Sequence, residues 1–307
     1  MDRILIIKLS AFGDVVQAEG AIHDIRNHHP DAEIIVMTTP PYLEFMQKCP
    51  WVDSVFIDRR ESRWRLDRMV GLRSRLRKLG VKMVYDLQQV GRTAFYHRWF
   101  LRDIPWLGGV SESLHKSREF EDKGAMDCFA MQLDKAGLNV QHTLQPDLRW
   151  MAVDVTTFLD AKNVTKHYVV LIPGTSAGHD EKRWPYYNEL AAWFRNEGKE
   201  VITVPGPDEI ELCRSLSQAT MLTDGDRYLN FFELAGVLLQ AEFVVGNDTG
   251  PTHLAAHLGI PGLALFSSHM QPARTGIQHS SFSYLEADNL RNLSLEAVQK
   301  KVLSLLL

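Results

Sequence analysis

Three loops in this sequence carry side chains able to move a proton or hold an anion, each directly after an apolar, strand-like run. The first is Lys8-Leu9-Ser10-Ala11-Phe12-Gly13-Asp14-Val15-Val16. Gly13 permits a tight turn, the amides that follow open a helix, and Asp14 sits at that opening. A carboxylate there, like Ser10 before it, caps the helix or, at a cleft edge, serves as a general base; the local residues by themselves favour the cap. The second is Ile172-Pro173-Gly174-Thr175-Ser176-Ala177-Gly178, followed by His179-Asp180-Glu181-Lys182-Arg183-Trp184-Pro185. Its amides and the hydroxyls of Thr175 and Ser176 suit a phosphate, with Lys182 as a point charge. Taken alone it also reads as a surface loop, and the Walker spacing is absent. The third is Asn247-Asp248-Thr249-Gly250-Pro251-Thr252-His253. Thr249 and Gly250 open a helix whose positive end suits a diphosphate, and Asp248 can accept hydrogen bonds from sugar hydroxyls. His253 lies one turn in, facing ligand or core. Val204-Pro205-Gly206-Pro207-Asp208-Glu209 is a supporting fourth loop.

A diphosphate pocket in one half and a carboxylate in the other suit the transfer of a sugar from a nucleotide diphosphate. Charge on the leaving group must be stabilised, which amides, hydroxyls and Lys182 can do. The acceptor hydroxyl must lose its proton, for which Asp14 is the candidate.

The elements that must position these groups alternate between strand and helix in both halves, the pattern of α/β folds with covered parallel sheets. Strands are expected at residues 4–8, 33–37, 52–57, 82–86 and 107–110, then at 168–172, 200–204, 243–245 and 262–266. Helices are expected at 14–28, 63–79 and 125–136, then at 186–196, 208–218, 230–240, 252–258 and 294–307. The rhythm breaks between about 145 and 167. The expected domains are 1–160 and 161–293, with 294–307 as a closing helix.

Length and composition agree with two globular domains. The chain has 307 residues, 45% hydrophobic and 23% charged, and its three cysteines (Cys49, Cys128, Cys213) are scattered as in a reducing cytoplasm. No disulfide framework or metal-ligand spacing appears, no run spans a bilayer, and the N-terminus has no secretory signal. The formal charge of −4 belongs to the second half, whereas the stretch from Arg59 to Lys78 is strongly basic: Arg59, Arg60, Arg63, Arg65, Arg68, Arg73, Arg75, Arg77 and Lys78 against Glu61 and Asp67. A solvated helix face is the ordinary fate of such a run. An anionic acceptor or an anionic membrane surface is the functional alternative. Nucleic acid is not expected, because the pI is about 6.3 and no binding motif is present.

On Gly13-Asp14-Val15-Val16, Pro173-Gly174-Thr175 with Lys182-Arg183-Trp184-Pro185, Gly206-Pro207-Asp208-Glu209 and Asn247-Asp248-Thr249-Gly250-Pro251-Thr252-His253-Leu254, the chain resembles the bacterial heptosyltransferases of glycosyltransferase family 9. These build the inner core of lipopolysaccharide. The resemblance implies an α/β GT-B fold, two Rossmann-like domains with parallel sheets facing an interdomain cleft, and a closing helix at 294–307 that packs back on the first domain. It implies an inverting transfer that needs no metal and no cofactor. Asp14 then looks like the base, and Lys182, Thr249, Gly250, Thr175 and Ser176 like the donor diphosphate site. Asp248 and His253 fall to the donor sugar, and Ser10, Arg59, Arg60 and Arg63 to the acceptor. The partners implied are an ADP-heptose-like nucleotide sugar and a lipid-linked lipopolysaccharide core acceptor. The protein would be cytoplasmic, with peripheral contact to the anionic inner membrane. Gln17-Ala18-Glu19-Gly20 departs from a Thr-Leu-Pro-like segment common in the family, and Pro205 stands where Gly is common; both departures bear on substrate choice. The alternatives are a GT-B transferase for another nucleotide sugar and glycan, or a non-catalytic nucleotide-sugar-binding protein. A dehydrogenase lacks support, since neither half has GxGxxG after its first strand.

Overall fold

A computed structural model describes residues 1–108, 123–165, 167–175, 183–225, 227–267, 277 and 281–306. The chain forms two compact units, Met1–Asp147 and Leu148–Leu307. The crossing lies at the near edge of the stretch where the sequence rhythm breaks. Residues 148–165 pack into the second unit, where Leu148, Met151, Val155 and Leu159 are buried.

In the first unit β1 (Arg3–Ile7), β2 (Glu33–Thr38), β3 (Ser54–Ile57), β4 (Met83–Asp86) and β5 (Trp106–Leu107) form a parallel sheet of order β3-β2-β1-β4-β5. Central β1 is buried from Ile4 to Ile7, which is why it reads as an unbroken apolar run. Ile6 stands opposite Val36 on one side and Tyr85 on the other. The described helices are α1 (Phe12–Gln17), α2 (Glu19–His28), α3 (Leu43–Lys48), α4 (Leu66–Lys78), α5 (Gly91–Phe100) and α6 (Ala125–Lys135). The single helix expected at 14–28 is thus two, parted at Ala18. Gly13 lies inside α1, so the turn out of β1 is made by Ser10 and Ala11 instead.

The Glu19-Gly20 departure has a structural cause. A Cβ at Gly20 would stand 2.1 Å from the His142 carbonyl oxygen. Buried Glu19 accepts the Trp51 indole N–H at 2.6 Å and the Asp147 amide at 3.1 Å. One turn on, Asp24 accepts the amides of Gln141, His142 and Thr143 and the Thr143 hydroxyl. These residues seat the 141–147 segment on α2.

In the second unit β6 (Tyr168–Ile172), β7 (Glu200–Thr203), β8 (Thr220–Met221), β9 (Phe243–Asn247), β10 (Gly262–Ser267) and β11 (Phe282–Ala287) form a parallel sheet of order β11-β10-β9-β6-β7-β8. Its described helices are α7 (Thr156–Ala161), α8 (Tyr187–Asn196), α9 (Ile210–Arg214), α10 (Phe231–Leu239), α11 (Gly250–His257) and α12 (Leu295–Leu306). Asn230 and Glu233 cap α10 reciprocally. The buried residues of α12, Val298 and Val302, belong to the core of the second unit, with Leu190, Phe194 and Leu263. All three cysteines are buried free thiols. Burial pushes Cys49 up to about 12 and Cys213 up to about 11.

Both sheets reverse their strand order beside the central strand, between β1 and β4 and between β6 and β9. In open α/β sheets ligands bind at the carboxyl ends of the strands flanking such a reversal. The loops selected from the sequence leave β1, β6 and β9 there.

Candidate active site

In the first unit, the exits of β1 and β4 are tied together by one side chain. The Gln88 amide oxygen accepts the amides of Leu9 at 2.7 Å and Ser10 at 3.1 Å. Asp86 shapes the β4 exit in turn, its Oδ1 accepting from the amides of Gln88 and Gln89 at 3.0 and 2.9 Å. This pair of turns carries the chain into α1 and delivers Asp14. One oxygen of Asp14 accepts the Ala11 amide at 2.9 Å, capping α1. The other has no hydrogen-bond partner among the described residues, and the side chain is half-buried. A carboxylate so placed caps its helix with one oxygen and can accept a proton on the other.

Beneath this turn lie two buried charges. Lys8 is 4% exposed, donates to the Leu87 carbonyl at 3.3 Å and sits 5.1 Å from the Phe129 ring centroid. Burial lowers its pKa, while Asp14 and Asp86 oppose that shift. Asp86 is fully buried, and desolvation raises its carboxyl to about 6 against the pull of Thr93, the two amides and Lys8.

That shift sets a pH dependence. The folded protein holds the Asp86 proton longer than the unfolded chain, so this group lowers stability progressively as pH rises from about 4 to about 6. Above that window its cost is constant, on the order of 2–3 kcal/mol. Asp86→Asn keeps an oxygen for both amides and removes the charge. Urea unfolding at a series of pH values should show the variant gaining on wild type through this window and then levelling off. A difference that does not change with pH would contradict the assignment.

Ser10 and Arg60 meet near Asp14. The Arg60 guanidinium donates to the Ser10 hydroxyl at 3.2 Å, and both Asp14 and Arg60 act electrostatically on the Tyr42 phenol. Arg60 is delivered by a pinned loop. Asp58, 1% exposed at the end of β3, accepts the Arg60 amide at 2.8 Å and the Tyr96 hydroxyl at 2.6 Å. It also accepts two N–H groups of Arg92, at 3.1 and 3.2 Å, and Arg92 donates twice more to the Glu61 carbonyl. Arg59 lines a separate groove of about 350 Å³ with Asp58, Glu61, Arg68 and Arg75. Arg63 lies with its guanidinium 5.8 Å from the Phe95 ring centroid. Of the four residues assigned to an acceptor, the structure joins Ser10 and Arg60 only.

In the second unit the β6 and β9 loops are tied by Asn247, which is fully buried. Its Nδ2 donates to the carbonyls of Pro173 and Gly174 at 2.8 and 3.3 Å, and its Oδ1 accepts the Tyr187 hydroxyl at 3.1 Å and the Trp184 amide at 3.4 Å. Trp184, 2% exposed, anchors the end of the second loop by donating its indole N–H to the Leu293 carbonyl at 2.8 Å. Thr175 is 5% exposed, and its hydroxyl has no hydrogen-bond partner among the described residues. Ser176 and Lys182 lie outside the described residues.

The third loop starts α11 earlier than the sequence suggests. Thr249 is the extended N-cap, with Gly250 and Pro251 in the first turn. The Thr252 hydroxyl donates to the Asn247 carbonyl at 2.7 Å, which leaves Thr249 as the donor across the 3.2 Å hydroxyl pair. Asp248 Oδ1 is 3.2 Å from His253 Nε2, so α11 brings the two residues assigned to a donor sugar together. The supporting loop joins them through Glu209. This carboxylate accepts the Gly206 amide at 2.8 Å, and a Cβ on Gly174 would fall 1.7 Å from its Oε1. Burial raises the Glu209 pKa against Arg183.

Sequence reasoning missed Gln88, Asp86, Asp58 and Arg92. Asp86, Gln88 and Asp58 lie at strand ends, so the rule that singled out Asp14 also applies to them. Arg92 gives no local signal, because its partner is 34 residues away.

The profile of glycosyltransferase family 9 (heptosyltransferase) matches residues 122–301. Lipopolysaccharide heptosyltransferase 2 of Salmonella typhimurium is 25% identical over 300 residues, covering 86% of this chain and 82% of that protein. A glycosyl transferase family 9 structure from Veillonella parvula has a TM-score of 0.82 at 19% identity, over 99% of this chain and 97% of that one. E. coli heptosyltransferase WaaC with ADP has a TM-score of 0.75 at 20% identity, over 99% of each chain. The two Rossmann-like units are thus those of the GT-B fold, as expected from the motifs. With the profile spanning more than half of the sequence, the chain belongs to glycosyltransferase family 9 (heptosyltransferase).

Proposed function

We propose that the protein transfers a heptose, with inversion, from an ADP-heptose-like donor to a lipid-linked lipopolysaccharide core acceptor. The observation that carries this reading is the divided carboxylate of Asp14, one oxygen fastened by the Ala11 amide and the other unpartnered at the exit of β1. In the reaction an acceptor hydroxyl attacks the anomeric carbon, the bond from that carbon to the diphosphate oxygen breaks, and the hydroxyl proton passes to Asp14. ADP leaves with the bonding electrons. The Thr175 hydroxyl and the amides of Thr249 and Gly250 at the start of α11 receive the diphosphate, with Ser176 and Lys182 assigned to it from the sequence. Asp248, held against His253, accepts hydrogen bonds from the donor sugar. Ser10 and Arg60 hold the acceptor beside the base. No metal or cofactor enters this scheme.

The acceptor is presented at an anionic membrane surface on the cytoplasmic side, and the protein meets it peripherally. Among the described residues no helix is long and apolar enough to cross a membrane.

A panel of nucleotide sugars tests the reading. ADP-heptose at saturating concentration should raise the melting temperature by several degrees and release ADP only when a core acceptor is added. NMR of the product should show the anomeric configuration inverted. A larger shift with UDP- or GDP-sugars, or no turnover with ADP-heptose, would replace this donor with another.

A further inference from the structure

α4 presents two kinds of apolar residue. Met69, Leu72 and Leu76 form its inner stripe and pack with Phe56, Val81 and Phe100. Leu66 and Val70, one turn apart on the same helix, are 72% and 68% exposed, and Trp64 just before the helix is 92% exposed. On α5, Trp99 is 59% exposed. The segment before α4 reaches α5 through Arg63, whose guanidinium lies 5.8 Å from the Phe95 ring centroid, and that ring lies 6.4 Å from that of Trp99. Exposed apolar side chains grouped in this way mark an interaction surface.

The surroundings define the partner. Arg65 and Arg68, beside Trp64 and Leu66 in the chain, share a single carboxylate, Asp67, at 3.7 and 3.4 Å, so the rim carries excess positive charge. A two-fold contact with a second copy would set that rim against itself, and like charges facing each other oppose such a contact. An anionic lipid surface satisfies both parts. Indole and aliphatic side chains are favoured at the boundary between headgroups and acyl chains, and guanidinium groups pair with lipid phosphates.

We propose that Trp64, Leu66 and Val70, with Trp99 beside them, insert into the interface of an anionic bilayer while the arginine rim holds the lipid phosphates. This deepens the reading of a membrane-borne acceptor and rests on it for its purpose. The contact itself is measured without donor or acceptor, so the two can fail separately.

The experiment uses the full chain with vesicles of phosphatidylcholine alone or mixed equally with phosphatidylglycerol. Wild type should sediment with the mixed vesicles only, and brominated lipid should quench a fluorescence component that Trp64→Phe removes. Combining Trp64→Ser, Leu66→Ser and Val70→Ser should weaken partitioning at least tenfold, with ADP affinity and the melting curve unchanged. Trp64→Ser alone, at a fully exposed position, keeps the test decisive if the triple variant folds poorly. Arg65→Glu with Arg68→Glu should weaken binding in a salt-dependent way. Absence of vesicle binding, or salt-sensitive binding that ignores the serine variants and is not quenched, would overturn insertion. So would a wild-type dimer that the serine variants make monomeric, since the surface would then serve self-association. Vesicle binding without ADP-heptose turnover would leave this proposal standing and remove the assigned reaction.

Discussion

Asp14→Asn should slow transfer by roughly 10²–10⁴-fold, the usual contribution of a positioned general base, and leave donor affinity within about twofold. Asparagine is nearly isosteric and still offers an oxygen to the Ala11 amide, so the cap of α1 and the turn from β1 persist. What it lacks is the second carboxylate oxygen, the one without a partner, and with it the capacity to take the acceptor proton. The measurement is ADP release under saturating donor and acceptor, alongside calorimetric titration with ADP. A variant that still turns over within tenfold of wild type would remove Asp14 as the base. Loss of ADP affinity together with rate would mean that the residue acts through the fold and not on the proton.

Asp58→Ala should lower the stability of the first unit by about 3–5 kcal/mol, because it strands a charge that the fold has taken out of water. Arg92 is 14% exposed in its side chain and directs two of its N–H groups at Asp58, whose own side chain is 2% exposed. The Tyr96 hydroxyl and the Arg60 amide lose the same acceptor. Urea unfolding followed by tryptophan fluorescence measures the loss. Function should suffer by a separate route: the loop that carries Arg60 to Ser10 loses its anchor, so the acceptor KM should rise while donor affinity in the second unit stays the same. A stability change under about 1 kcal/mol would show that water reaches Arg92 easily, and an unchanged acceptor KM would separate Arg60 from acceptor binding.

Much of this site is legible in the amino-acid order for a local reason. Asp14, Thr175, Asp248 and Thr249 each follow an apolar strand within a few residues, and a strand that runs into a helix leaves its loop at the carboxyl edge of a parallel sheet. Distance along the chain limits the rest. Gln88 clamps Leu9 and Ser10 from 79 and 78 residues away, and Asn247 reaches Pro173 across 74. Gly20 shows the same limit from the other side. In sequence it is a departure that bears on substrate choice; in the fold it also clears space for the His142 carbonyl, which no neighbouring residue announces.

The basic stretch divides in the same way. Its charge and its helical spacing are visible in the order of residues, but three different fates are not. Arg60 turns to Ser10, Arg63 settles over Phe95, and Arg65 and Arg68 share Asp67. Hydrophobic periodicity places Met69, Leu72 and Leu76 inward and does not account for Trp64, Leu66 and Val70 outside.

From its sequence alone this protein was determined to be a two-part α/β chain with its chemistry on the loops after β1, β6 and β9, because strand and helix periodicity and the residues at their junctions are properties of neighbours. Only the tertiary structure decided which oxygen of Asp14 takes the Ala11 amide, which arginine reaches Ser10, and what Glu19 and Gly20 pack against. Those outcomes depend on groups from distant segments competing for the same few hydrogen bonds in a space closed to water, and that competition exists only once the chain has folded.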